Sequence, residues 1–138
     1  LLGHKLREKN ITVRKDYCAD MRDIPAFVGE LNQVWTNLFD NAIYAVPKNG
    51  VISIETKCNR NDVTVKVIDG GPGIPEDIQS RIFDPFFTTK KQGEGTGIGL
   101  DTVMRIVKRH NAEIKVVSVP GRTVFTVCIP FPKKEVTE

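Results

Sequence analysis

Cysteine, histidine and long hydrophobic runs are scarce in this sequence. The three cysteines, Cys18, Cys58 and Cys128, are odd in number and far apart, so they match neither a zinc-ligand spacing nor a disulfide framework. We therefore expect three reduced thiols, as in a cytoplasmic protein. His4 and His110 stand alone, without carboxylate or cysteine neighbours in a ligand spacing, which favours structural or surface roles for both.

No apolar run approaches the roughly 18 residues that a membrane span needs, so we expect no membrane contact by this domain. The net charge is only +3, and the lysines and arginines are scattered, which argues against a nucleic-acid partner. A chain of 138 residues with 40% hydrophobic residues can build one core, so we expect one domain. The opening "LLGHKLREKN" reads as the middle of a helical pattern, which indicates a fragment of a longer protein.

Hydrophobic periodicity predicts the order β, α, ββ, short α, loop, α, ββ. The predicted strands cover residues 11–17, 51–57, 62–69, 113–119 and 123–130, and the predicted helices cover residues 1–9, 29–46, 76–82 and 99–110. Short turns join the strand pairs, which must therefore be antiparallel. The predicted fold is α+β: a two-layer α/β sandwich whose mixed, mostly antiparallel sheet carries helices on one face.

Two features of these elements, a pair of asparagines and an acid followed by glycines, predict a ligand cleft. Asn37 and Asn41 are four apart on the long helix, so they lie one above the other at the edge of its apolar stripe. Amide oxygens suit Mg²⁺, although two solvated helix residues would look the same. Asp69 ends a strand and is followed by "GGPGIP", in which Gly71 allows close approach of a ligand. The carboxylate can accept a hydrogen bond from a ligand amine such as that of adenine, or it can simply end the strand in a turn.

The segment "FDPFFTTKKQGEGTGIGL" combines aromatic residues with alternating glycines. It is neither a Walker A loop nor a Rossmann fingerprint. Its glycines lead into a helix near Gly99, where backbone N–H groups and the helix dipole form an anion site. Thr96 can add a hydroxyl, and Lys90 and Lys91 can reach a terminal phosphate. We interpret the segment as a phosphate-wrapping lid, with a flexible linker as the alternative.

The lid interpretation gives the aromatic residues a role as anchors. Phe83, Phe86 and Phe87 can dock on the core when the loop closes over a ligand and leave it when the loop opens. Ordinary core aromatics are the alternative, and the two interpretations are compatible.

Four motifs together resemble a known family. "NQVWTNLFDNAIYAV", "DGGPGIP", "FDPFFTTK" and "GEGTGIGL" are similar, in order and spacing, to the N box, first glycine box, F box and second glycine box of the ATP-binding catalytic domain of sensor histidine kinases. That domain has the Bergerat fold, which type II topoisomerases, mismatch-repair clamp proteins and a heat-shock chaperone share. The resemblance covers residues 11–130, nearly the whole chain.

The resemblance implies a role for each matching residue. Asn41 would ligate Mg²⁺, Asn37 would face the phosphates of ATP, and Asp69 would read the adenine amine. Asn37 and Lys90, the latter near the γ-phosphate, are the implied catalytic residues. The other residues implied to contact the nucleotide are Tyr44, Gly71, Gly73, Ile74, Lys91, Gly95, Thr96, Gly97, Ile98, Gly99, Leu100 and Thr126.

Three features depart from the family pattern. The first glycine box usually reads Asp-Asn-Gly, and Gly70 in place of the asparagine is expected to loosen the turn. Tyr44 stands where many of these kinases carry a phosphate-contacting lysine. The motif of the phosphoacceptor histidine is absent, because His4 lacks the accompanying acidic residue and proline.

The resemblance and these departures predict a histidine kinase catalytic domain. The hydrolytic members carry a glutamate base at the position of Asn37, and an amide cannot take a proton, so efficient hydrolysis is not expected. We expect transfer of the ATP γ-phosphate to a histidine on a separate domain, by positioning and charge neutralisation. The alternatives are a free-standing serine kinase that also holds a sigma factor, and a non-catalytic nucleotide-binding module. A clamp-type ATPase would need a second transducing domain.

The resemblance also implies a division of the chain and a set of partners. Residues 1–10 would end a dimerisation helix, residues 11–132 would form the catalytic domain, and residues 133–138 would be a tail. The implied partners are the dimerisation and histidine-phosphotransfer domain of the same protein and the receiver domain of a response regulator. We expect the isolated domain to be a cytoplasmic monomer, whether or not the parent protein is anchored in a membrane.

Overall fold

The computed structural model describes residues 2–18, 28–85, 87 and 99–130. Its helices are α1 (Leu2–Lys9), α2 (Val28–Ala45), α3 (Glu76–Gln79) and α4 (Leu100–Arg109), and its strands are β1 (Thr12–Asp16), β2 (Val51–Cys58), β3 (Asp62–Asp69), β4 (Glu113–Val119) and β5 (Arg122–Pro130). The predicted order of helices and strands is confirmed within these ranges, although α3 ends earlier than predicted. None of the helices in these ranges is long and apolar enough to cross a membrane.

The five strands form one sheet in the order β1-β2-β3-β5-β4. β1 pairs with β2 in parallel, and every other pair is antiparallel. The predicted mixed, mostly antiparallel sheet is therefore confirmed. The register places Asp69 of β3 between Ile52 of β2 and Thr123 of β5.

The core lies between the sheet and the two long helices. α2 contributes Val34 and Leu38, α4 contributes Val103 and Val107, and β5 contributes Phe125, all at most 1% exposed. Residues three or four apart share one side of a helix, so these side chains form the stripes that cover the sheet. We call the covered side of the sheet the inner face and the opposite side the outer face.

The expectation of three reduced thiols is wrong for two of them. Cys18 and Cys58 are joined by a disulfide, with their Cα atoms 6.1 Å apart, and Cys128 is free. Because β1 runs parallel to β2 with Asp16 opposite Glu55, the two strands end side by side and bring these cysteines together. The sequence separation hides this contact, since it depends on a pairing between strands that α2 separates along the chain.

Candidate functional site

Asp69 is a buried acid at the inner-face end of β3. Its residue is 3% exposed, and its Oδ1 accepts a hydrogen bond from the Gly71 N–H at 2.9 Å. Burial raises the pKa of Asp69 above its ordinary value of 3.8, and the hydrogen bond from Gly71 opposes part of that rise. The second oxygen of such a carboxylate remains able to accept from a ligand amine.

The loop that follows Asp69 is packed tightly between α2 and the turn joining β4 to β5. A Cβ on Gly71 would lie 2.7 Å from the Ala45 carbonyl oxygen, and one on Gly73 would lie 2.6 Å from that of Val119. Gly73 also has a φ of +89°. Both positions therefore require glycine for close approach, and Gly73 for its conformation as well.

Gly70 is different, and its presence has no visible structural cost. A Cβ there would meet only the Gly121 carbonyl oxygen, at an ordinary 3.8 Å. Two hydrogen bonds of Gly71 hold the turn. The Gly71 N–H donates to Asp69 Oδ1, and the Gly71 carbonyl accepts from the Gly121 N–H at 3.1 Å. The position therefore accommodates a side chain, and its glycine is not what holds the turn.

A chain of hydrogen bonds links this loop to β5. The Ile74 N–H donates to Ser118 Oγ at 2.7 Å, and that oxygen lies 2.7 Å from Thr123 Oγ1 in a hydroxyl–hydroxyl bond. Gln79 Nε2 donates to the Ile74 carbonyl at 2.8 Å. Ile74 itself packs against the core. Thr123 is thereby fixed beside Asp69 on the inner face.

The register separates Thr126 from Asp69, the residue that the resemblance implies would read adenine. Thr126 pairs with Lys66, whereas Thr123 pairs with Asp69. Successive side chains of a strand point to opposite faces, so two residues three apart cannot share one. Thr126 therefore lies on the outer face, and the inner-face threonine is Thr123, which is 3% exposed. The odd spacing shows from the sequence that the two threonines lie on opposite faces, but which of them faces Asp69 depends on the register of β5 with β3.

The two asparagines lie on α2 as predicted, on the same side of the helix as Tyr44. Asn37 is 8% exposed, Asn41 is half-buried and Tyr44 is exposed. Because Ala45 contacts the Gly71 loop, a rise of about 1.5 Å per residue puts Asn41 about 6 Å and Asn37 about 12 Å along the helix axis from that contact. The polar side of α2 thus runs away from Asp69 in a line.

The Asn37 amide makes this line a candidate ligand site. Its Nδ2 atom is buried and has no hydrogen-bond partner among the described residues. An unsatisfied buried donor costs about 1–3 kcal/mol, so it marks a place where an acceptor from a ligand would be stabilising. The Asn41 amide oxygen is the kind of neutral, hard ligand that Mg²⁺ accepts.

The second glycine box is described only at its end. Gly99 is the N-terminal flanking residue of α4, and Leu100 begins that helix, as predicted. Val103 and Val107 of α4 are buried against the core, so the N-terminus of the helix is fixed in place. Predictions for six other residues lie outside the described ranges: Lys90, Lys91, Gly95, Thr96, Gly97 and Ile98.

The aromatic residues before that box pack against the body of the domain. Phe83 is half-buried, and its ring meets Phe125 edge-on with centroids 6.4 Å apart. Phe87 packs on the core and lies under the Arg81 guanidinium, 5.2 Å from its ring centroid. These contacts agree with the core interpretation, which is compatible with anchoring a lid. Phe86 is outside the part of the chain that the structure describes.

Comparison with known proteins defines the class to which this arrangement belongs. Residues 28–133 match the family described as histidine kinase-, DNA gyrase B-, and HSP90-like ATPase, and the chain belongs to that family. The sensor histidine kinase ZraS of Salmonella typhimurium is 39% identical over 132 residues, which are 94% of this chain and 28% of that kinase. The chain therefore spans less than a third of that relative's length.

Solved structures place the chain more narrowly within the family. The catalytic domain of histidine kinase ThkA superposes with a TM-score of 0.82 at 36% identity, covering 94% of this chain and 85% of that one. ThkA in complex with the response regulator protein TrrA matches with a TM-score of 0.81 at 30% identity, covering 97% and 38%. The resemblance to catalytic domains of sensor histidine kinases is confirmed, and with it the Bergerat fold.

Proposed function

We propose that this chain binds Mg·ATP along α2 and transfers the γ-phosphate to a histidine on a separate domain, in two-component signal transduction. The observation that carries this proposal is the convergence of buried polar groups. Asp69 stands at one end, and the unpaired amide nitrogen of Asn37 lies about 12 Å further along the helix. Adenine at the first and phosphates at the second would satisfy both.

The residues present suit a magnesium nucleotide. Asn41 lies between the two ends and offers an amide oxygen, which would hold the ion together with phosphate oxygens and waters. Bound Mg²⁺ supplies charge neutralisation on the transferring phosphoryl group. Asn37 can donate a hydrogen bond but cannot accept a proton from water, which favours transfer to an already nucleophilic imidazole over hydrolysis.

The remaining assignments follow from the same proposal. Thr123, in place of Thr126, joins Gly71, Gly73 and Ile74 at the adenine end, and Gly99 and Leu100 stand at the phosphate end. Residues 90–98 would cover the phosphates, with Lys90 near the γ-phosphate. We also propose that residues 1–10 end a dimerisation helix, that residues 11–132 form the catalytic domain, and that residues 133–138 are a tail.

The proposed partners are the histidine-bearing dimerisation domain of the parent protein and a response regulator receiver domain. The complex of ThkA with TrrA supports the second partner by similarity. We propose a cytoplasmic position and a monomeric state for the isolated chain, whose net charge of +3 gives no reason to expect a nucleic-acid partner.

Substitution of Asn41 tests the proposal. The chain would be incubated with Mg²⁺, labelled ATP and either a histidine-bearing dimerisation domain or a serine substrate, and the product would be tested for acid lability. We expect an acid-labile product from the histidine arm, and its loss in Asn41→Ala. Asn32→Ala is the matched control, because Asn32 is an exposed asparagine on the same helix. Full transfer by Asn41→Ala would contradict the assignment, and an acid-stable product would identify the serine kinase.

A further inference from the structure

The last turn of α2 is closed by a lysine from α1. Lys9 Nζ donates to the carbonyls of Ile43 at 2.7 Å, Tyr44 at 3.0 Å and Val46 at 2.9 Å. An ammonium group has three donors, so all of them are used. The carbonyls at a helix C-terminus lack helical partners and carry the negative end of the helix dipole, so a cation there satisfies both.

Further contacts hold α1 along the same half of α2. Lys5, four residues before Lys9 and therefore on the same side of α1, contacts the buried Asp40 carboxylate at 2.6 Å. The Asn49 N–H donates to the Lys9 carbonyl at 2.8 Å, and Asn10 Nδ2 donates to Asn49 Oδ1 at 2.8 Å. Lys9 therefore lies within a group of contacts between α1 and α2, and its head group is held by three acceptors.

The same helical turn faces the Gly71 loop on another side. Lys9 donates to the carbonyls of the residues before and after Ala45. The Ala45 carbonyl itself contacts the Gly71 loop, where a Cβ on Gly71 would lie 2.7 Å from its oxygen. Gly71 in turn donates to Asp69. The last turn of α2 thus lies between the Lys9 ammonium on one side and the Gly71 loop on the other. The loop packs closely against that turn and carries the proposed adenine contact.

We propose that Lys9 is a positioning residue for the nucleotide site. By holding the carbonyls of the last turn of α2, it fixes the Gly71 loop, and hence the Asp69 carboxylate, relative to Asn41. Movement of α1 would then shift the Gly71 loop and the Asp69 carboxylate at the adenine end of the site. This inference rests on the proposed function, because it assigns an effect on ATP to a residue that does not contact ATP.

If Lys9 were only a helix cap, it would contribute to stability without changing the affinity for Mg·ATP. The test therefore measures nucleotide affinity in variants that remain folded. Lys9→Met and Arg7→Met would be made in the 138-residue chain. Both remove one positive charge from α1, but the Arg7 side chain is exposed and makes no described contact. For each folded variant, the Kd for Mg·ATP would be measured by calorimetry, and exchange of the Gly71 amide hydrogen by NMR.

We expect Lys9→Met to weaken Mg·ATP binding about five- to tenfold, at the lower end of ordinary coupling between sites, and to speed exchange at Gly71. Arg7→Met should stay within about twofold of wild type. In phosphotransfer assays, the KM for ATP should rise while kcat changes little, because the bound phosphates still meet Asn37 and Asn41.

Each other outcome has a definite meaning. Unchanged affinity and Gly71 exchange in a folded but less stable Lys9→Met would overturn the inference and leave Lys9 a helix cap. If Lys9→Met does not fold, Lys9→Gln, which keeps two of the three donors, takes its place with an expected loss of about threefold, and unchanged affinity there overturns the inference equally. Failure of the wild-type chain to bind Mg·ATP would instead refute the proposed function.

Discussion

The two faces of the sheet are built from the same strands but offer opposite environments. On the inner face Ile52, Asp69 and Thr123 stand opposite one another, and none is more than 3% exposed. One residue earlier on β3, Ile68 belongs to the outer face, and Val117 in the same row of the sheet is 67% exposed. Polar groups on the inner face are few, fixed and poorly solvated, which makes each hydrogen bond there selective. The side of the sheet on which a polar residue lies therefore decides, more than its type, whether it can belong to the site.

The largest difference in ATP affinity is expected between substitutions of two acids, one on each face of the sheet. Asp69→Asn keeps the shape but removes the charge, so the proposed charge-assisted hydrogen bond to the adenine amine, worth about 1.5–3 kcal/mol, would be lost. Calorimetry should show ATP affinity falling roughly 10- to 150-fold. Glu55→Gln, on the outer face opposite Lys66, is the control and should bind as wild type. Equal losses in both variants would show that the two faces do not differ in their contribution to ATP binding.

The two glycines after Asp69 have different surroundings within one loop. Gly71→Ala places a Cβ 2.7 Å from the Ala45 carbonyl oxygen, whereas Gly70→Ala meets nothing closer than 3.8 Å. We expect Gly71→Ala to lower the free energy of unfolding in urea by about 1–3 kcal/mol, as overpacking does. Gly70→Ala should stay within about 0.5 kcal/mol of wild type. A loss as large in Gly70→Ala would show that this turn needs glycine at both positions.

Thr123 and Thr126 of β5 form a matched pair, one on each face, for which we expect a smaller difference in stability and ATP binding. Thr123→Ala removes the bond to Ser118 beside Asp69, so unfolding in urea should show a loss of about 1 kcal/mol. ATP titration should show weaker binding by the same variant. Thr126→Ala, on the outer face, should change neither quantity measurably. A larger effect on ATP from Thr126→Ala would restore the original prediction for that residue.

The smallest expected effect is a pH dependence of stability. Because burial raises the pKa of folded Asp69, the contribution of this group to stability is fully present below pH 3.8 and is lost as pH rises through the folded pKa. Asp69→Asn cannot ionise, so in urea unfolding without nucleotide it should gain stability relative to wild type as pH rises from 4 to 7. A difference that does not change with pH would show that burial does not disfavour the ionised form.

Most of the fold was predictable because local patterns decide it. The alternation in β3 and β4 predicted the bounds of both strands as the structure has them, and the stripe on α2 predicted its extent to within a residue at each end. The proposed site residues Asp69, Gly71 and Gly73 lie in one loop of the structure because they are close together in the sequence, so their proximity was predictable.

The features that were missed depend on relations between distant segments. Which of Thr123 and Thr126 faces Asp69 follows from the register of β5 with β3, which the sequence alone does not give. The contact of Cys18 with Cys58 needs the parallel pairing of β1 with β2. The contacts of Lys9 with the end of α2, on which its proposed role rests, depend on the position of α1 against α2, which no local periodicity encodes.

The central claim is that one Mg·ATP lies on the inner face, along α2 from Asp69 to Asn37. Its most direct test is a titration of the ¹⁵N-labelled chain with Mg·ATP, followed through backbone amide shifts. We expect large shifts at Asp69, Gly71, Thr123 and Asn41, and almost none at Ile68 and Thr126. Shifts concentrated on the outer-face residues, or none along α2, would contradict it.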